Sequence, residues 1–129
     1  MRGPAKTVLI VDDYPSLAEI VDRRLRVAGF HTRVCAGGAE AIRILREERF
    51  DIVVLDVMMP EIDGFEVMRF IREEHIVPDL PVVLLTACSS DDDVAKAMAL
   101  GADGYVTKPF NAVELVRTVQ LLLEERRAA

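Results

Sequence analysis

Phe50-Asp51-Ile52-Val53-Val54-Leu55-Asp56-Val57-Met58-Met59-Pro60-Glu61-Ile62-Asp63-Gly64 sets a continuous apolar run, Ile52 to Leu55, against an abrupt carboxylate and a Pro- and Gly-bearing loop. A short apolar run bounded by turn residues reads as a central strand buried on both faces. An aspartate at the carboxyl end of such a strand stands at the rim where open α/β sheets bind ligands. Taken alone, Asp56 could equally cap the turn or helix that follows.

The remaining strands repeat the pattern. Thr7 to Val11 is apolar and ends in Asp12 and Asp13; Val82 to Leu85 ends at Thr86; Gly104 to Thr107 ends at Lys108-Pro109. His31 to Cys35 is a shorter strand, with Val34 and Cys35 as its apolar part. Helical spacing intervenes each time. Leu17, Val21, Leu25 and Ala28 follow Pro15, which suits a first turn, and stop at Gly29. Ala41, Ile42 and Leu45 follow Gly37 and Gly38 and run to near Arg49; Val67, Met68 and Ile71 follow Gly64. Ser90 with Asp93 reads as a capping box opening an alanine-rich fourth helix that buries little. Asn111 with Glu114 caps a last helix with Ala112, Leu115, Val116, Val119, Leu122 and Leu123 inward, leaving Val113 and Leu121 off the stripe.

Strict alternation of strand and helix predicts an α/β fold, a single domain over residues 5–127 with a parallel sheet covered on both faces. The 129 residues suffice for one sizeable core, and 51% hydrophobic with 29% charged is ordinary for a globular protein. No apolar run approaches the roughly 20 residues that span a bilayer, and Met1 to Lys6 lacks a signal peptide's features. A cytoplasmic protein without membrane contact is expected. A net charge of −6 argues against direct nucleic-acid binding by this domain. Any output domain is expected to lie outside this chain.

Parallel strands bring Asp12, Asp13, Asp56, Thr86 and Lys108 to one rim. Crowded carboxylates need a cation or raised pKa values, and oxygen ligands without His or a reactive Cys select a hard ion, Mg²⁺ by preference. Asp12-Asp13 stands where a flavin or dinucleotide site needs an anion cradle. Lys108 and Thr86 supply a positive charge and a donor for phosphoryl oxygens, which completes a minimal kit for phosphoryl transfer to Asp56.

Asp12-Asp13, the run Leu55 to Gly64, Thr86-Ala87 and Lys108-Pro109-Phe110 together resemble the CheY-like receiver domain of two-component response regulators, over nearly the whole chain. The resemblance implies a (βα)₅ flavodoxin-like, doubly wound sheet of strand order 2-1-3-4-5. It implies a phosphoacceptor signalling domain rather than a dedicated enzyme, with Asp56 phosphorylated from a histidine kinase's phosphohistidine. By it, Asp13, Asp56 and the Met58 backbone carbonyl hold Mg²⁺ directly and Asp12 through water. Thr86 and Lys108 grip the phosphoryl oxygens, and Tyr105 is the aromatic switch that turns inward as Thr86 moves. Partners would be a sensor histidine kinase or phosphotransfer protein on one side. On the other, an effector domain or protein, or a homodimer, would use the fourth helix, fifth strand and last helix. Met58 and Cys88, two beyond Asp56 and Thr86, would flank the water that hydrolyses the aspartyl phosphate and make it long-lived. Pro109 resembles the family's cis-proline turn.

Two rivals share features of the site. A haloacid dehalogenase-type phosphotransferase wants an acid two residues beyond its nucleophilic Asp, where Met58 stands. A flavodoxin-like electron carrier wants the missing phosphate loop. Asp51 reads as a surface residue at the strand's start, and His31 and His75 lie away from the rim. The implied strand order puts Cys35 and Cys88 about 14 Å apart, at about 4.8 Å per strand. That exceeds the ~7 Å reach of a disulfide.

Overall fold

The computed structural model describes residues 5–74, 78–87, 90–108 and 111–128. His75, Cys88, Pro109 and Phe110 lie outside them, so the expectations placed on those residues have no structural counterpart. Five strands, β1 (Thr7–Val11), β2 (His31–Cys35), β3 (Ile52–Asp56), β4 (Val82–Thr86) and β5 (Gly104–Thr107), alternate with five helices. These are α1 (Pro15–Val27), α2 (Gly38–Glu47), α3 (Gly64–Glu73), α4 (Asp91–Ala99) and α5 (Ala112–Ala128). All strand pairings are parallel, in the order β2-β1-β3-β4-β5. This is the flavodoxin-like arrangement expected of the sequence.

The sheet divides the core in two. Leu9, Val11, Val53, Leu55, Val82 and Leu84 face α2 and α3, and Val8, Ile10, Ile52, Val54, Val83 and Leu85 face α1 and α5. Every residue of β3 and β4 is buried, because both strands have a neighbour on each side and a helix layer on each face. At the β2 edge, by contrast, Val34 is 42% exposed and only Cys35 is buried.

The helix stripes depart locally from the expected ones. In α1 the buried residues are Ala18, Val21 and Leu25, with Leu17 half-buried and Ala28 exposed. In α2 Ile44 joins Ala41 and Leu45 while Ile42 is half-buried, and the helix stops at Glu47. The inward stripe of α5 holds: Leu115, Val119 and Leu123 are buried, and Val113 and Leu121 are exposed. Ala97 alone of α4 is buried, and a Lys96 ammonium 4.4 Å from the Phe65 ring centroid ties that helix to α3. Ser90 caps α4 by accepting the Asp93 N–H, and Asn111 Oδ1 accepts from the Val113 N–H. Asp63 caps α3 in the same way, through the Glu66 N–H.

Candidate functional site

Because β1, β3, β4 and β5 run parallel in adjacent register, their carboxyl ends share one edge of the sheet. Val11 pairs with Leu55, Asp56 with Leu85 and Thr86 with Thr107. Asp12, Asp56 and Thr86 are buried there, at 3%, 2% and 0% exposure, and Asp13 and Lys108 are half-buried beside them. The backbone secures the edge: the Lys108 N–H donates to the Thr86 carbonyl at 2.7 Å and the Val57 N–H to that of Leu85 at 3.3 Å.

Asp12, Asp13 and Asp56 each offer a carboxylate oxygen, and these oxygens lie within 4.8 Å of one another. Asp12 Oδ1 accepts the Tyr14 N–H and Asp56 Oδ1 the Met58 N–H, at 2.9 and 3.1 Å. Lys108 Nζ donates to Asp56 Oδ2 at 3.2 Å and lies 3.8 Å from Asp12 Oδ2, too far for a hydrogen bond. Asp12 Oδ2 and Asp13 Oδ1 are buried with no hydrogen-bond partner among the described residues. Buried carboxylate oxygens without donors are costly.

Among the described residues, one ammonium therefore stands against a cluster of three carboxylates, in reach of Asp12 and Asp56. Burial first, and the Asp12 charge second, push the Asp56 carboxyl from its ordinary 3.8 up to about 6, although Lys108 and the Met58 N–H pull it down. A hard divalent cation would serve both orphaned oxygens and relieve the repulsion, and the all-oxygen donor set is of the kind such ions take.

The chain matches the response regulator receiver domain family over residues 8–120. It belongs to that family. The match covers most of the sequence, and the acidic triad with its lysine is the site by which receivers take part in phosphorylation-based signalling. Receivers signal rather than catalyse. The receiver is 44% identical over 121 residues to the probable transcriptional regulatory protein TcrX of Mycobacterium tuberculosis, covering 94% of this chain and 51% of that one. It is 44% identical over 116 residues to the DNA-binding response regulator MtrA of Mycolicibacterium smegmatis, covering 90% and 50% respectively. It thus spans about half the length of the curated relatives it matches. Among solved structures, the beryllofluoride-activated DrrB receiver domain superposes with a TM-score of 0.86 at 36% identity, covering 94% of this chain and 99% of that one. A CheY-like receiver from Methanospirillum hungatei gives 0.90 at 23% identity, over 97% and 98%, a likeness of fold alone.

Other predicted residues lie outside this receiver's triad. Met58 is 62% exposed at its mouth, and Tyr105 is half-buried against the core cluster on the α3 side. His31 is exposed at the amino end of β2, far along the strand from the rim. Cys35 is a free, buried thiol pushed by burial to about 11, which makes it a poor nucleophile. No described helix is long and apolar enough to cross a membrane.

Three features escaped the sequence reading. Asp51 is a structural tie, accepting the Thr7 N–H at 2.8 Å and so joining the starts of β1 and β3. Glu61 sits at φ 65 in the loop after Asp56, a backbone region costly for a residue with a Cβ. Arg72 donates to the carbonyls of Pro78, Leu80 and Gly101 and to Asp103 Oδ2, pinning the end of α3 to two loops. No local sequence signal marks it, since its partners lie up to 31 residues away.

Proposed function

We propose that this chain is the receiver, over residues 5–127, of a two-component response regulator, and that a histidine kinase or phosphotransfer protein phosphorylates it on Asp56. The observation that carries the reading is a nucleophile buried to 2% exposure at a strand end, with Lys108 Nζ 3.2 Å away and two further carboxylates close by. Asp12, Asp13, Asp56 and the Met58 carbonyl would hold Mg²⁺. When bound, the ion supplies positive charge that lowers the Asp56 pKa and screens the incoming phosphoryl group.

In the transfer, an ionised Asp56 oxygen forms the new P–O bond as the P–N bond of the phosphohistidine breaks, and the departing imidazole nitrogen takes up a proton. Lys108 then exchanges its contact with Asp56 Oδ2 for one with a phosphoryl oxygen, and the Thr86 hydroxyl donates to another. Thr86 and Lys108 contribute position and charge rather than covalent chemistry. Movement of Thr86 lets Tyr105 turn inward and biases the face made of α4, β5 and α5. The thin burial of α4 supports this: a weakly held element is cheaply shifted by a local charge change.

That face would engage an effector domain or protein, or a second copy as a homodimer. The relatives' names point to gene expression as the output, through a DNA-binding part distinct from this acidic domain. A cytoplasmic location follows from this reading. The test is NMR of the protein with beryllofluoride. Shifts should appear at Tyr105 and across α4, β5 and α5 only when Mg²⁺ is present. Shifts confined to the opposite face, or independent of Mg²⁺, would refute the reading.

A further inference from the structure

The loop that follows Asp56 is clamped between two glycines. A Cβ on Gly64 would come 2.5 Å from the Asp56 carbonyl oxygen and 2.7 Å from Val57 Cα, so α3 begins hard against the strand end. On the outer side, a Cβ on Gly38 would lie 2.3 Å from the Ile62 carbonyl oxygen, 2.7 Å from its Cγ2 and 2.9 Å from its Cβ. Its neighbour Gly37 has nothing within 4 Å of the same construction. Between the two clamps the loop has little slack. The Val57 carbonyl accepts from both Met59 and Gly64, at 3.1 and 3.0 Å. Met59 is buried, Ile62 packs on the core and Glu61 is already at φ 65.

We propose that Gly38 is a positioning residue for the cation site. Its bare backbone at the start of α2 is the wall against which Ile62 seats, and that contact sets where the loop presents the Met58 carbonyl to Asp12, Asp13 and Asp56. The inference rests on the reading of those four groups as the Mg²⁺ site. A methyl group at position 38 demands about 1 Å of movement, from 2.3 Å to ordinary contact near 3.4 Å. The obstructing atom is a backbone oxygen, so no side-chain rotation relieves it. Either α2 or the loop must yield. Ala41, Ile44 and Leu45 anchor α2 in the core, whereas Met58, Pro60 and Glu61 of the loop face solvent. The loop is the softer side. Disturbing groups that orient metal ligands typically weakens binding roughly 10–100-fold.

The experiment is a Mg²⁺ titration of the metal-free protein followed by NMR, on wild type, Gly38→Ala and Gly37→Ala. Gly38→Ala should bind roughly 10-fold more weakly. Its metal-free spectrum should already be shifted across Met58 to Asp63, while Gly37→Ala matches wild type in both. Ile62→Ala removes the Cγ2 that a Gly38 Cβ would meet at 2.7 Å but keeps the Ile62 carbonyl, so it loosens the loop's seat without a clash and keeps the test open should Gly38→Ala fail to fold. Weaker binding in it supports the inference, and unchanged binding overturns it. Wild-type affinity in Gly38→Ala, with shifts confined to α2, overturns the inference alone. A wild type that takes up no Mg²⁺ removes the site reading and the inference with it.

Discussion

Asp56→Asn should make the metal-free protein more stable at neutral pH, by an amount that depends on pH in a fixed direction. The Asp56 carboxyl is raised from 3.8 to about 6 in the folded protein, by burial and then by Asp12. Each pH unit between the unfolded and folded values is worth about 1.4 kcal/mol, so ionised Asp56 destabilises the fold by on the order of 3 kcal/mol. Below about pH 4 the carboxyl is protonated in both states and the cost is absent. As the pH rises toward about 6, the unfolded chain ionises first and the folded protein holds more protons, so stability falls. Above that the cost is constant. Asparagine removes the charge and can keep the bond from the Met58 N–H through its amide oxygen, while losing the charged contact with Lys108. Urea unfolding with chelator present, on both proteins, would measure the difference. The variant should gain roughly 1–3 kcal/mol at about pH 7.5 and close to nothing at about pH 4. Saturating Mg²⁺ should narrow the gap by stabilising wild type preferentially. A gain that is the same at both pH values, or a variant less stable at neutral pH, would refute the reasoning.

Lys108→Ala should still bind Mg²⁺, since the ammonium is not a ligand, yet beryllofluoride-induced NMR shifts around Tyr105 should collapse; shifts of wild-type size would count against its role. Met58→Asn should speed decay of the phosphorylated protein, because an exposed thioether at the mouth gives way to a group that can orient water; unchanged decay in a radiolabel chase would show that the lifetime is set elsewhere. Glu61→Gly should stabilise the fold by about 1 kcal/mol in thermal unfolding, by relieving the positive φ; a loss of stability would contradict this. Arg72→Gln should cost about 2 kcal/mol or more, since it strips donors from three carbonyls and Asp103; a variant as stable as wild type would show that water replaces them freely.

The central strands were legible in the sequence because burial on both faces removes any need for polar residues. β3 and β4 are apolar up to Asp56 and Thr86, and those are the residues that break into the site. The rim followed from topology, since parallel strands must bring their carboxyl ends together. Helix faces were less legible. Leu17 and Ile42 look inward by size but are half-buried: Ala18 takes the buried position in α1, where a small residue lets the helix sit close to the sheet, and Ile44 takes it in α2 through the phase of the helix alone. β2 was legible as a short strand but not its exposure: at the sheet edge one flank has no neighbouring strand, and Val34 is 42% exposed while Cys35 is buried. The ties of Asp51 and Arg72, and the contact of Gly38 with Ile62, depend on residues brought together by the finished fold. Nothing local announces them.

Intact-mass analysis after exposure to a small-molecule phosphodonor tests the central claim most directly. With Mg²⁺, wild type should gain one phosphoryl group, labile to hydroxylamine and mapping to the peptide that carries Asp56. Chelator and Asp56→Asn should each abolish it. A phosphoryl group retained on the Asn variant, or acquired by wild type with all divalent cations removed, would contradict the account.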